Sequence, residues 1–189
     1  MGHGLWAFLF MSKIRISAFI DGFNLYHAID DLRQNHLKWV DLRKLCEAFA
    51  PASDFILSEI YYFSSYATWR QGPYGRHKEY VRALRAAEVI PIMGRFKEKE
   101  KFCRRCGRRW IDHEEKETDV NIAIHMLRAG YNNTCDRFLL ISGDSDLVPA
   151  VRMIHDEFPQ KVLKILFPIA RSFSRDLINA AGGSNKSKM

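Results

Sequence analysis

Long apolar runs, glycine-rich phosphate loops and clustered cysteines are all missing or scarce in this chain of 189 residues. The opening stretch 1–11 is apolar but too short to cross a bilayer. It also lacks the basic start and small-residue cleavage site of a signal peptide, so no membrane partner is expected. Residues 1–12 are read as an N-terminal extension outside the fold, with Met11 as the natural first residue. No Gly-x-Gly-x-x-Gly follows the first apolar strand and no Gly-Lys-Ser/Thr occurs, which excludes the usual nucleotide-cofactor loops. No Gly-x-Ser-x-Gly elbow is present. Asp21-Gly-Phe-Asn24 lacks the second aspartate, two positions on, of an aspartyl-phosphate phosphatase. Of four cysteines, only Cys103 and Cys106 are close in sequence. Cys46 and Cys135 stand singly among apolar residues, as buried thiols do. Such usage suits a reducing cytoplasm rather than a disulfide framework.

What is present describes a globular chain: 47% hydrophobic and 27% charged residues, at a length that favours one domain with a substantial core. A net charge of +7 calls for an anionic partner, with nucleic acid the leading class. The oligomeric state is left open between a monomer and a homodimer.

Strand and helix patterns alternate along the chain. Residues 13–20 read as a central strand ending in Asp21, followed by a helix to Leu32 with Leu25, Ala28, Ile29 and Leu32 on one face. Asp41 reads as the cap of a short helix to Phe49, and 55–63 as a β-rich strand. Gly72, Pro73 and Gly75 mark 66–76 as a loop before a helix to Ala87. Residues 89–96 read as a strand with an interruption at Pro91, and 97–115 as an excursion, a β-ribbon. Thr118 reads as the cap of a helix over 119–129 whose inward face carries Val120, Ala123, Ile124 and Leu127. The run 138–141 is a buried strand, with Asp146 capping the next helix and Pro149 at its third position, where proline is tolerated. A strand at 161–167, a helix at 172–180 and a frayed polar tail at 181–189 complete the chain. His125 and His155 fall on helices as surface residues. Alternation of this kind predicts a doubly wound, mainly parallel sheet with helices on both faces.

Acids stand at element ends in three separate segments: Asp21, Asp119, and Asp144 with Asp146. Ligands bind outside the carboxyl ends of parallel strands. An aspartate before a helix is ordinarily a cap, but one cap suffices, and the pair in Ser142-Gly-Asp-Ser-Asp146 exceeds that need. Crowded carboxylates repel and raise one another's pKa. A divalent cation removes the repulsion, and hard oxygen ligands suit Mg2+ or Mn2+. Such ions orient water and stabilise charge on a phosphodiester. Asn24, one turn beyond Asp21, is a further amide ligand or water holder.

Three segments in this order, Phe19-Ile-Asp-Gly-Phe-Asn-Leu-Tyr26, Glu115-Lys-Glu-Thr-Asp-Val-Asn-Ile-Ala123 and Leu140-Ile-Ser-Gly-Asp-Ser-Asp-Leu-Val-Pro149, resemble the NYN domain family of the PIN-like nuclease superfamily. The resemblance spans about 13–180. It implies a PIN-like three-layer α/β/α sandwich with a mainly parallel central sheet and a metal-dependent ribonuclease site. The family's acidic positions fall on Asp21, Asp119, Asp144 and Asp146, with Asn24 and Ser142 as polar neighbours and Lys116 and Glu117 bordering the second motif.

The basic insertion at 97–115 holds seven cationic residues between Lys97 and Arg109. Lys97, Lys101, Arg104, Arg105, Arg108 and Arg109, with Lys116 and Ser142, are the expected RNA contacts, and Phe102 and Trp110 are available to stack bases. Cys103-Arg-Arg-Cys106-Gly107 resembles the start of a zinc knuckle, with His113 the one obvious third ligand of the four that tetrahedral zinc needs. The combined expectation is a cytoplasmic, Mg2+- or Mn2+-dependent ribonuclease, with a catalytically silent RNA-binding module of the same fold as the rival. A third option is an interaction scaffold whose basic surface serves solubility.

Overall fold

The computed structural model describes residues 13–169 and 174–182 and the backbone of 186–188, so residues 1–12 and the expected helix start at Ser172 lie outside the described residues. In chain order the elements are β1 (Ile14–Asp21), α1 (Gly22–Asp31), a 3-10 turn at Asn35–Trp39, α2 (Leu42–Phe49), β2 (Phe55–Ser64), α3 (Gln71–Ala86) and β3 (Ile90–Met93). A ribbon follows, β4 (Arg95–Phe102) and β5 (Arg109–Lys116). Then come α4 (Thr118–Tyr131), β6 (Arg137–Ile141), a 3-10 turn at Ser145–Leu147, α5 (Val148–Glu157), β7 (Val162–Phe167), α6 (Arg175–Ala180) and β8 (Lys186–Lys188).

The main sheet runs β3-β2-β1-β6-β7-β8, with every pairing parallel, and β4 pairs only with β5. Buried on both faces over most of their length, β1, β6 and β7 are near-continuous apolar runs, as parallel sheets require. Their side chains alternate between two cores. Phe19, Phe63, Phe138, Leu140 and Phe167 pack with Ile122, Met126, Val151 and Leu177 from α4, α5 and α6. Ile16, Ala18, Ile20, Tyr62 and Leu139 pack with Leu25, Leu42, Val81 and Leu84 from α1, α2 and α3. Phe19 stacks against Tyr61 and Phe138 at centroid distances of 5.5 and 5.9 Å. The three-layer α/β/α sandwich is thus present.

From β1 the chain works outward through β2 and β3, and from β6 outward through β7 and β8, so β1 and β6 flank the topological switch point. At their amino ends Arg15 grips Asp136 with Nε at 3.1 Å, Nη2 at 2.7 Å and its backbone N–H at 2.9 Å. Charge-assisted forks of this kind fix geometry as well as energy. Register then carries Ile20 opposite Ile141, which brings the carboxyl ends of β1 and β6 side by side.

Several local expectations are corrected. Helix α3 starts at Gln71 and takes in Gly72, Pro73 and Gly75, because Pro73 occupies the first turn, where its missing N–H is no loss. The strand expected at 89–96 divides at Gly94 into β3 and β4, and Pro91 sits inside β3, an edge strand that tolerates it. The inward face of α4 is Thr118, Ile122, Met126 and Ala129, whereas Val120 and Ile124 are 61% and 54% exposed. That helix is apolar on more than one side, so spacing alone does not fix its phase. Thr118 does not cap it; Glu117 stands there in the left-handed region at φ 81° with no side-chain cap. Asp144, not Asp146, caps the 3-10 turn, and Pro149 falls at the second position of α5. His125 is partly buried, edge-on to Tyr61 and Phe63. The tail returns to the sheet as β8 instead of fraying.

Gly22 is the tightest point near the switch: a Cβ there would lie 2.5 Å from the Tyr62 ring and 2.6 Å from the Phe63 carbonyl oxygen. Gly22→Ala is expected to destabilise the protein by about 1–3 kcal/mol, the usual cost of overpacking. Urea unfolding checks this; an unchanged midpoint would show that α1 moves off the sheet freely.

Candidate metal and nuclease site

Asp21 ends β1 and caps α1. Its Oδ1 accepts the Asn24 N–H at 2.9 Å and its Oδ2 accepts the Ser142 hydroxyl at 2.8 Å. Ser142 Oγ in turn accepts the Asp144 N–H at 3.0 Å, and Asn24 Oδ1 accepts the Gly143 N–H at 3.0 Å. Two strand ends are thereby stitched together through buried polar groups, each with a partner, as burial demands. Asp144 Oδ1 accepts the Asp146 N–H at 3.0 Å, which keeps the Ser145–Leu147 turn tight.

Asp119, on the first turn of α4, completes the cluster. Asp21, Asp119 and Asp144 each offer a carboxylate oxygen, all within 4.8 Å of one another. Burial first, opposed by the Asn24 and Ser142 hydrogen bonds, pushes Asp21 up to about 6, with the Asp144 and Glu115 charges adding to the rise. Burial also leads for Asp119, pushed up to about 6 with help from Asp144, Asp21, Glu115 and Asp146. Among the described residues no cationic side chain contributes to either shift. The donor set, three hard oxygens with uncompensated charge, fits Mg2+ or Mn2+ and suits a softer thiophilic metal poorly.

The other expected residues divide. Asp146 is exposed and outside the group of three, adding its charge from the rim. Asn24 engages its amide oxygen with Gly143, so it positions the loop. Ser142, an expected RNA contact, is 0% exposed and donates to Asp21, so it cannot touch a ligand and is corrected to a positioning residue. Glu115 carried no expectation of its own beyond the motif. It sits at the ribbon base, where its Oε1 accepts hydroxyls from Ser65 at 3.0 Å and from Thr118. Its only sequence signal is its place at the end of the excursion, one turn before Asp119.

On the ribbon, Lys101 pairs with Asp112, Lys116 with Glu114 at 3.1 Å, and Lys97 stands opposite Glu114 in register. The stem is therefore largely neutralised. Arg104, Arg105, Arg108 and Arg109, around the tip, have no carboxylate partner among the described residues; Arg109 lies 5.9 Å over the Phe102 ring. His113 does not join the cysteines. It lies flat on Trp69 at 3.6 Å, and Trp69 meets Phe96 at 4.6 Å, so the expected third zinc ligand belongs to an aromatic stack at the ribbon base.

The raised carboxyl pKa values set a pH dependence. The fold favours the neutral acids, so its penalty is absent below the ordinary aspartate value of 3.8, grows as pH rises toward about 6, and is complete above that. The Arg15–Asp136 pair has the opposite sign and weakens only at more acidic pH, because Arg15 holds the Asp136 carboxyl low. Metal-free protein is therefore expected to lose stability as pH rises from about 4 to about 6. Asp144→Asn keeps the hydrogen bond to Asp146 and removes one charge. At pH 7 it should raise the metal-free Tm by about 2–4 °C, roughly 1 kcal/mol for a chain of this size. Thermal melts across that range check the claim; a lower Tm for Asp144→Asn would contradict it.

Similarity to known proteins agrees with this geometry. The NYN domain family matches residues 15–184. No curated protein matches the chain. Among solved structures, a protein of unknown function from Vibrio parahaemolyticus is similar at 18% identity and a TM-score of 0.62, covering 94% of this chain and 93% of that one. At that identity the likeness speaks for the fold alone. NYN is a PIN-like nuclease family, and with nearly the whole chain matched, this protein belongs to the NYN domain family.

Proposed function

We propose that the protein is a metal-dependent ribonuclease that hydrolyses RNA phosphodiester bonds at the β1/β6 switch point. One observation carries the reading: three carboxylates from separate elements converge there, with no cationic side chain among the described residues to offset them. Asp21, Asp119 and Asp144 would hold Mg2+ or Mn2+, with Asp146 adding charge at the rim. When bound, such an ion supplies electrostatic stabilisation of charge developing on the phosphate.

The chain's own residues do the positioning. Ser142 and the Asn24 N–H fix both oxygens of Asp21, so its orientation is set before any ligand arrives. Asn24 holds the loop that presents Asp144. Pre-set geometry of this kind is what lowers a barrier most effectively. Charge supports an RNA substrate: +7 overall, concentrated as unpaired arginines at the ribbon tip. Four free cysteines suit a reducing compartment, read here as the cytoplasm. Among the described residues no helix is long and apolar enough to cross a membrane.

Asp144→Asn is expected to cut Mn2+-dependent cleavage of a labelled RNA at least about a thousandfold, equivalent to about 4 kcal/mol, while RNA affinity stays within about twofold. A gel assay and filter binding read the two quantities. Full cleavage by the variant would remove the carboxylate cluster from the reaction, and binding without cleavage by the wild type would make the protein a silent RNA-binding module. Reversing Arg104, Arg105, Arg108 and Arg109 to Glu should weaken binding to any sequence and flatten the salt slope by up to about 0.7 per lost phosphate contact. An unchanged slope would assign these arginines to solvent.

A further inference from the structure

The turn joining β4 to β5 has a geometry that the nuclease reading leaves unused. Cys103 N–H donates to the Arg108 carbonyl at 2.8 Å, Gly107 N–H donates to the Cys103 carbonyl at 2.9 Å, and Gly107 adopts φ +70°. The chain thereby folds back on itself between Cys103 and Cys106, and the backbone amides of Cys106 and Arg105 hold the Cys103 thiol below its ordinary pKa. A tight Cys-x-x-Cys turn closed by these two backbone hydrogen bonds presents two thiolates to one metal, half of the tetrahedral set that structural zinc requires.

Nothing described in this chain supplies the other half. Cys46 and Cys135 are fully buried, one in each core. His113 lies four residues down β5 from Arg109, about 13 Å at the usual strand rise, and is stacked on Trp69. Among the described residues the only grouping of three metal-binding side chains is the aspartate cluster.

We propose that the ribbon tip is half of a zinc site completed by a second copy of this chain, with Cys103 and Cys106 of both copies holding one Zn2+ as a tetrathiolate. The features of the tip favour a second copy over another partner. Cys106 is exposed and Cys103 partly so, at the far end of a ribbon that pairs with no other strand, so two tips meet without the domains colliding. Phe102 and Ile111, on one face of the ribbon beside them, are 55% and 57% exposed, apolar surface that a tip-to-tip contact covers. Arg104, Arg105, Arg108 and Arg109 make two metal-free tips repel. The net negative charge of a zinc tetrathiolate relieves part of that repulsion and its four metal–sulfur bonds hold the tips against the rest, so association is contingent on metal. Four thiols lose their protons as one ion binds, which makes assembly pH-dependent. The joined tips present one continuous basic surface. The inference stands apart from the nuclease reading and would survive its failure.

The test uses the full chain purified with a reducing agent and without chelator. Metal analysis with native mass is expected to show one zinc per two chains and a mass twice 22.0 kDa. Chelation should return the mass to that of one chain, and added Zn2+ should restore the dimer. Replacing zinc by Co2+ distinguishes this site from the aspartate cluster, because the intensity of the thiolate-to-cobalt charge-transfer band reports thiolates per metal, four being expected. Cys103→Ser with Cys106→Ser should give a zinc-free monomer that melts as the chelated wild type does, since both side chains lie outside the two cores. One zinc per chain in a monomer, no zinc at all, two thiolates per cobalt, or a dimer that persists after chelation would each overturn the proposal.

Discussion

Carboxylate repulsion at the β1/β6 switch point is the constraint that the rest of the structure accommodates. Two of the three clustered aspartates are driven toward neutrality by burial and by one another, and among the described residues no lysine, arginine or histidine relieves them. A fold that needed only caps would have no reason to bring Asp119 from α4 against Asp21 and Asp144. Ser142 and Asn24 secure the arrangement from beneath, each bridging the loops after β1 and β6. Local destabilisation held in place by a supporting network is characteristic of functional sites.

That support reaches to the opposite end of the sheet. The Arg15–Asp136 fork sets the start of β1 against β6, parallel register transmits the alignment through Phe19 and Leu140, and Asp21 and Ser142 emerge as neighbours. A slip of one residue would turn Phe19 out of its stack with Tyr61 and Phe138, because successive strand residues face opposite layers. The two aromatic-rich cores therefore lock the placement of the acids. Glu117, held at φ 81° and paired with Arg95 at 2.7 Å, makes the turn from the ribbon into α4 that delivers Asp119. Left-handed backbone at a non-glycine residue is uncommon and concentrates near functional sites.

Much of this was legible in the sequence because it lives in strands and their ends. The runs ending at Asp21 and Ile141 are continuously apolar, and alternation with helices implies parallel pairing, which places their carboxyl ends on one edge. Ordered motifs did the rest. What escaped depends on tertiary geometry. The phase of α4 was misread because Val120 and Ile124 share its spacing with Ile122 and Met126, and only packing on Tyr61 and Phe63 selects between them. Ser142 is expected among the RNA contacts from its place in the third motif, whereas its hydroxyl is buried and donates to Asp21. The place of His113 on the ribbon is set by cross-strand register, on which sequence distance is silent, and Glu115 carries no signal apart from the motif that also holds Asp119. Lysines of the ribbon resembled an RNA grip until their cross-strand acids were placed beside them.

The central claim is that raised aspartate pKa values at the switch point reflect a cation site. Calorimetric titration with Mn2+ in two buffers of different ionisation enthalpy tests it most directly, because ligands must lose protons as metal binds. Near pH 6, where Asp21 and Asp119 are each about half protonated, binding is expected to release protons to the buffer, and the release should vanish toward about pH 8. Binding with no proton release near pH 6, or no Mn2+ binding by the intact protein, would contradict the account.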